Sequence, residues 1–168
     1  MGAERLAGTS LIELLVVLAI LAVLAGAVAL SVGLARPMPP AERELQRFAR
    51  ALGLACERSR LTGLPHGVLL DRGGYAFAFD DGSGWLRYAS GKEQRLAPRA
   101  WGEGLRLELF RDGRALIVPE RAEKPQIACF PSGELTPFEL RLRDPDGRDA
   151  RLRGQLLGRV ERDGGALR

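Results

Sequence analysis

The stretch from Gly8 to Ala35, GTSLIELLVVLAILAVLAGAVALSVGLA, decides how the rest of the chain is read. It places one acid, Glu13, near the start of a long apolar run, and from Leu14 to Ala35 there is neither a charge nor a proline. A helix rises about 1.5 Å per residue and a hydrocarbon core is about 30 Å thick, so a run of this length is expected to span a membrane. A carboxylate at the edge of such a span costs on the order of a few kcal/mol unless it meets a partner. The segment therefore reads as built to dock against something as well as to anchor. A cleavable secretory signal fits poorly, because its apolar run is shorter and its start clearly basic, whereas here Glu4 offsets Arg5. A plain single-pass anchor explains the length and leaves Glu13 without a role.

The string Gly8-Thr9-Ser10-Leu11-Ile12-Glu13-Leu14-Leu15 resembles the class III signal of type IV pilin-like proteins, Gly-Phe-Thr-Leu-Ile-Glu-Leu-Leu. The resemblance implies cleavage between Gly8 and Thr9 by a membrane-embedded prepilin peptidase and N-methylation of Thr9. It makes Glu13 the fifth mature residue, the acid that marks the family. Thr9 departs from the family's Phe at the first mature position. Thr9 and Glu13 stand one helical turn apart on one face. An amine created at Thr9 stays largely cationic near neutral pH. Glu13 of one subunit and the amine of a staggered neighbour would then relieve two unpaired charges together and set the register between subunits. Glu13 is the expected assembly determinant.

Arg36-Pro37-Met38-Pro39-Pro40 closes the apolar run; prolines remove donors and disfavour helix before them, so a kink or break is expected. The expected organisation is a leader over 1–8, a transmembrane and filament-core helix over 9–35, a proline hinge over 36–40, and a periplasmic domain over 41–168. In that domain, residues 41 to about 61 read as an amphipathic helix. Leu45, Phe48, Leu52, Ala55, Cys56 and Ser59 share one side, while Glu42, Glu44, Arg47, Arg50, Glu57 and Arg60 mostly face away.

The remainder reads as antiparallel β structure, giving an α+β fold with the helix packed on sheets. Residues 67–71 and 74–80 flank a tight turn at Arg72-Gly73, with Tyr75, Phe77 and Phe79 on one face. Further strands are expected at 85–89, around Leu105, Leu107 and Leu109, at 114–118 after an Asp112-Gly113 turn, at 126–130, at 138–143, and as one stretch over 150–160. Phe138, Leu140 and Leu142 alternate with Glu139, Arg141 and Arg143, a strand with one face on a core and one in water.

Phe130-Pro131-Ser132-Gly133-Glu134-Leu135-Thr136-Pro137-Phe138 looks like the F-x-x-G-x-x-T-P-F pattern of the minor pseudopilin H family of type II secretion. The helix, the Gly-x-x-Phe-x-Phe stretch at Gly74 and the order of strands fit the same family. What the resemblance implies is a subunit held in the bacterial inner membrane and then incorporated into the pseudopilus, the filament that helps export folded proteins across the outer membrane. Its implied partners are the major pseudopilin, the other minor pseudopilins, the prepilin peptidase and the inner-membrane assembly platform. The alternative with the same N-terminus is a minor type IV pilin that serves pilus assembly or DNA uptake.

For that alternative the C-terminal part supplies Arg148, Arg151, Arg153, Arg159, Arg162 and Arg168. Asp144, Asp146, Asp149, Glu161 and Asp163 sit among them and leave little net field for phosphate, so nucleic acid is not an expected partner. The formal net charge is +4, and all but two of the basic residues are arginine. His66 is the single histidine and reads as a surface or satisfied residue. No spacing suits a metal or a phosphate loop, Ser83 lacks triad partners, and the Asp144–Asp149 acids lack the glycine and glutamate of a calcium loop. No cofactor or catalysis is implied. Cys56 and Cys129 are the two cysteines; they read as two buried small hydrophobes, with oxidation open to a periplasmic domain. Trp85 reads as core. Trp101 sits in a loop-like stretch, where an exposed indole would suit a partner contact.

Overall fold

The computed structural model describes residues 11–33, 38–89, 94–162 and 165–166, with side chains described as far as 26 in the first segment and not in the last. Its chain divides into two compact units, Met1–Pro37 and Met38–Arg168. The first contains α1 (Leu11–Gly33), 23 residues without a basic residue in the last turn. Its described side chains, from Leu11 to Gly26, are all exposed.

The second unit opens with α2 (Pro40–Thr62). Pro40 occupies the first helical turn, where its missing N–H would have had no helical partner anyway. Gly63 ends the helix in a left-handed conformation, φ 70°, and its N–H donates to Ser59 O. Among the described residues eleven strands follow: β1 (His66–Asp71), β2 (Gly74–Asp80), β3 (Trp85–Arg87), β4 (Arg99–Ala100), β5 (Arg106–Arg111), β6 (Arg114–Leu116), β7 (Ile127–Cys129), β8 (Phe138–Arg143), β9 (Asp149–Gly154), β10 (Val160–Arg162) and β11 (Gly165–Ala166). All described pairings are antiparallel. One sheet has the order β3-β2-β1-β7, with β4 also on β2; the other has the order β11-β10-β9-β8-β5-β6.

The buried stripe of α2 lies against both sheets. Leu45, Phe48 and Leu52 are fully buried with Val68, Leu70 and Phe77 from the first sheet and Leu140 and Leu152 from the second. Register makes the second sheet's contribution continuous: Leu109, Leu140 and Leu152 stand side by side across β5, β8 and β9, and so do Leu107, Leu142 and Ala150. Phe48 meets Tyr75 edge-on at 5.1 Å, adding quadrupole attraction to area burial.

β2 is covered on both faces, which its Tyr75-Ala76-Phe77-Ala78 alternation alone does not reveal. Tyr75 and Phe77 face α2, while Ala78 joins Leu69, Ala122 and Trp85 in a smaller cluster. The residues around Ala122 are fastened there by polar bonds. Arg72 N donates to Pro119 O at 3.1 Å, and Ala122 N donates to Asp71 Oδ1. Gln126 exchanges both side-chain hydrogen bonds with the Leu70 backbone, at 2.8 and 3.1 Å.

The structure corrects several expectations. The stretch 150–160 is two strands, β9 and β10, separated by a turn in which Gly158 has φ 77° and Gly158 N donates to Gln155 O; the apolar Leu156 and Leu157 concealed it. Cys56 and Cys129 are bonded, with Cα atoms 5.0 Å apart at a sequence separation of 73. The Cys56 and Cys129 positions do lie on the core side of α2 and in β7, and packing of α2 on β7 is what brings them together. Glu44, expected to face away, is 6% exposed, with Oε2 3.1 Å from Arg47 Nη1. Asp112-Gly113 makes the expected tight hairpin, both residues at positive φ (51° and 74°).

Candidate assembly site

Glu13 lies in the first turn of α1 and is exposed. A carboxylate there interacts favourably with the positive end of the helix dipole. Around it Leu11, Ile12, Leu14 and Leu15 are all more than half exposed. The described part of the helix therefore presents exposed apolar side chains and one acid at its start. Among the described residues no helix is long and apolar enough to cross a membrane. Gly8 and Thr9, the expected cleavage and methylation positions, lie outside the described residues, as does the geometry that would pair the Thr9 amine with Glu13.

Trp101 does not stand where a partner contact needs it. The indole is buried, packs on Tyr75 at 4.7 Å and on Phe48 at 6.0 Å, and donates from Nε1 to Asp71 O at 3.0 Å. The strand β4 that carries the chain into Trp101 is two residues long, too short for an alternation to register. One sequence signal was available: at Gly74 a Cβ would fall 2.2 Å from Arg99 O, so the glycine marks the close backbone approach that seats β4 and Trp101.

Other polar candidates resolve into structural roles. His66 is buried between two hydrogen bonds: Nδ1–H donates to Leu64 O at 2.9 Å, and Nε2 accepts from the Tyr88 hydroxyl at 2.8 Å. Burial holds its pKa below the usual value, against the bond to Leu64 and with help from the Arg58 charge. Asp144 caps its own turn by accepting from Arg148 N at 2.9 Å; Asp146 pairs with Arg148 and Asp149 with Arg143. On the solvent side of the second sheet, Glu139 sits between Arg141 and Arg153. Burial raises its pKa, but hydrogen bonds from both arginines outweigh burial and hold it below the usual range. Thus Arg148 and Arg153, and Arg159 with Glu161 at 3.8 Å, are engaged with carboxylates rather than arrayed for phosphate. Among the described residues no group of three or more His, Cys, Asp or Glu side chains could hold a metal ion.

An amphipathic helix laid over two antiparallel sheets, behind an apolar N-terminal helix with a single acid, defines a protein of the pilin-like α+β class. The chain is 36% identical over 169 residues to type II secretion system protein H of Pseudomonas aeruginosa, covering 92% of this chain and 95% of the relative. It is 29% identical to the protein of the same name from Klebsiella pneumoniae, over 91% of this chain and 95% of the relative. The solved minor pseudopilin EpsH from the type 2 secretion system of Vibrio cholerae superposes with a TM-score of 0.58 at 27% identity, covering 74% of this chain and 96% of that one. No family model matches the chain. The chain belongs to the type II secretion system protein H family.

Proposed function

We propose that the chain is a minor pseudopilin that enters the type II secretion pseudopilus through its N-terminal helix and so helps to export folded proteins across the outer membrane. The observation that carries this reading is the exposed, apolar α1 with Glu13 in its first turn, in a chain whose other unit buries its own core. Cleavage after Gly8 frees the Thr9 amine, which is then methylated. Until assembly the run 9–35 holds the subunit in the inner membrane as a single pass, with the domain in the periplasm. In the filament, Glu13 pairs with the N-terminal amine of a neighbour, and apolar helices of the major and other minor pseudopilins cover α1. A Cys56–Cys129 bond suits an oxidising compartment. The role is structural, that of a filament subunit.

A clean deletion tests the reading when exoprotein release, twitching and DNA uptake are scored together. The expected result is exoproteins trapped in the periplasm with motility and uptake intact. Normal secretion with lost motility or uptake would contradict it and move the same fold into a pilus.

A further inference from the structure

One concavity of the folded unit has a composition its neighbours lack. It has a volume of about 590 Å³ and is lined by Arg43, Arg47, Arg50, Arg95 and Arg99 with an apolar floor at Leu54, and none of its described lining residues is acidic. Arg43, Arg47, Arg50 and Leu54 recur every three to four residues and so form one stripe of α2, on the side away from the sheets. Arg95 precedes β4, and Arg99 is its first residue. Glu44, buried beside the stripe, engages Arg47 at 3.1 Å. Burial and then Glu44 push the nearby Tyr75 phenol up to about 12, against the smaller opposing pull of Arg99 and Arg47.

We propose that this arginine pocket binds the phosphate of an anionic phospholipid headgroup at the membrane surface facing the domain. Guanidinium forks match phosphate oxygens two at a time, and five of them around one hollow exceed what Glu44 can offset. The apolar floor suits the glycerol and first acyl carbons that follow a headgroup phosphate, which a free phosphate ion would leave bare. The assignment rests on the reading that 9–35 spans the membrane. On that reading Arg43 stands eight residues beyond the end of the apolar run, so the chain cannot carry it more than about 28 Å from that point. A tether of that length keeps the lipid surface at high effective concentration, and each arginine near an anionic surface adds to the attraction. The pocket would hold the domain down on the bilayer before assembly and release it when the helix leaves.

The test uses the full chain in a neutral detergent, examined by native mass spectrometry with phosphatidylglycerol, phosphatidylcholine of the same acyl chains, or inorganic phosphate. The chain is expected to retain phosphatidylglycerol preferentially. The triple variant R43Q/R50Q/R99Q is expected to lose on the order of tenfold to a hundredfold in that retention, with an unchanged thermal melt, since all three residues are exposed. Arg47 is left in place because removing it would strand the buried Glu44. R43K/R50K/R99K, which keeps the charge without the forks, should recover part of the loss. Equal retention of the two lipids, or unchanged retention by the triple variant, would overturn the proposal. So would displacement of the lipid by inorganic phosphate at equal concentration, which marks a free-anion site, or by a glutamate-rich peptide, which marks a protein partner. Release of the wild-type chain from membranes by carbonate would instead overturn the membrane reading itself.

Discussion

Helices α1 and α2 are each 23 residues long and make opposite demands on their surroundings. α2 divides into a stripe that is buried by the two sheets and a charged outer side, so its partner is inside the chain. α1 has no such division: its described side chains are apolar apart from Glu13, and all are exposed. A helix that is hydrophobic all round is stable only where something else covers it, and the folded unit is already complete without it. Two helices of one length thus teach where this protein ends. The second unit buries its own core, whereas the described side chains of α1 are exposed.

Truncating the two helices should therefore have unlike effects. Phe48→Ala removes a fully buried ring from between the sheets and should cost the domain about 3–5 kcal/mol, read from a denaturant melt of the full chain in detergent. Leu18→Ala, on exposed α1, should leave that same melt unchanged. An equal loss at both positions would show that α1 is part of the domain's core and break the contrast.

The covalent tie between α2 and β7 comes next. Cys56→Ser with Cys129→Ser opens a link that spans 73 residues and should cost about 2–5 kcal/mol. Reduction of the wild type should lower its melting midpoint to the same value. If neither change moves the midpoint, the domain is held by packing alone.

The smallest effect concerns pH. His66 is kept neutral in the folded domain by burial, whereas the unfolded chain takes up a proton near pH 6.5. Its folded pKa is depressed, so its contribution is fully present above pH 6.5 and is lost as pH falls below that value toward the folded pKa. The melting midpoint should fall between pH 7 and pH 5, and His66→Asn should flatten that fall. Below that range Glu139 and Asp149, both held low by arginine hydrogen bonds, should add a second decline that the variant keeps. A variant with the wild-type slope between pH 7 and pH 5 would remove His66 from the account.

The same contrast explains what could be read in advance. The α2 stripe and the alternation at Phe138, Leu140 and Leu142 were legible because one face meets water and the other a core, and both patterns sit where expected. Strands β4 and the β9–β10 turn were not, since a two-residue strand has no period and Leu156-Leu157 reads as strand despite lying exposed in a turn. Trp101 was misplaced for the related reason that a loop-like neighbourhood says nothing of the tertiary roof above it. Pairing of Cys56 with Cys129 depends on how α2 lies over β7, and no local pattern carries that. Nor could the Glu44 burial be foreseen, because the residue sits on the border of its stripe.

On the proposed function, α1 finds its partner outside the chain and Glu13 sets how. The direct measurement is incorporation of Glu13→Ala into assembled pseudopili, by cross-linking and shearing from cells, with the domain's melt followed in parallel. The account predicts loss of incorporation and of exoprotein release with an unchanged melt. Normal incorporation of Glu13→Ala would contradict it.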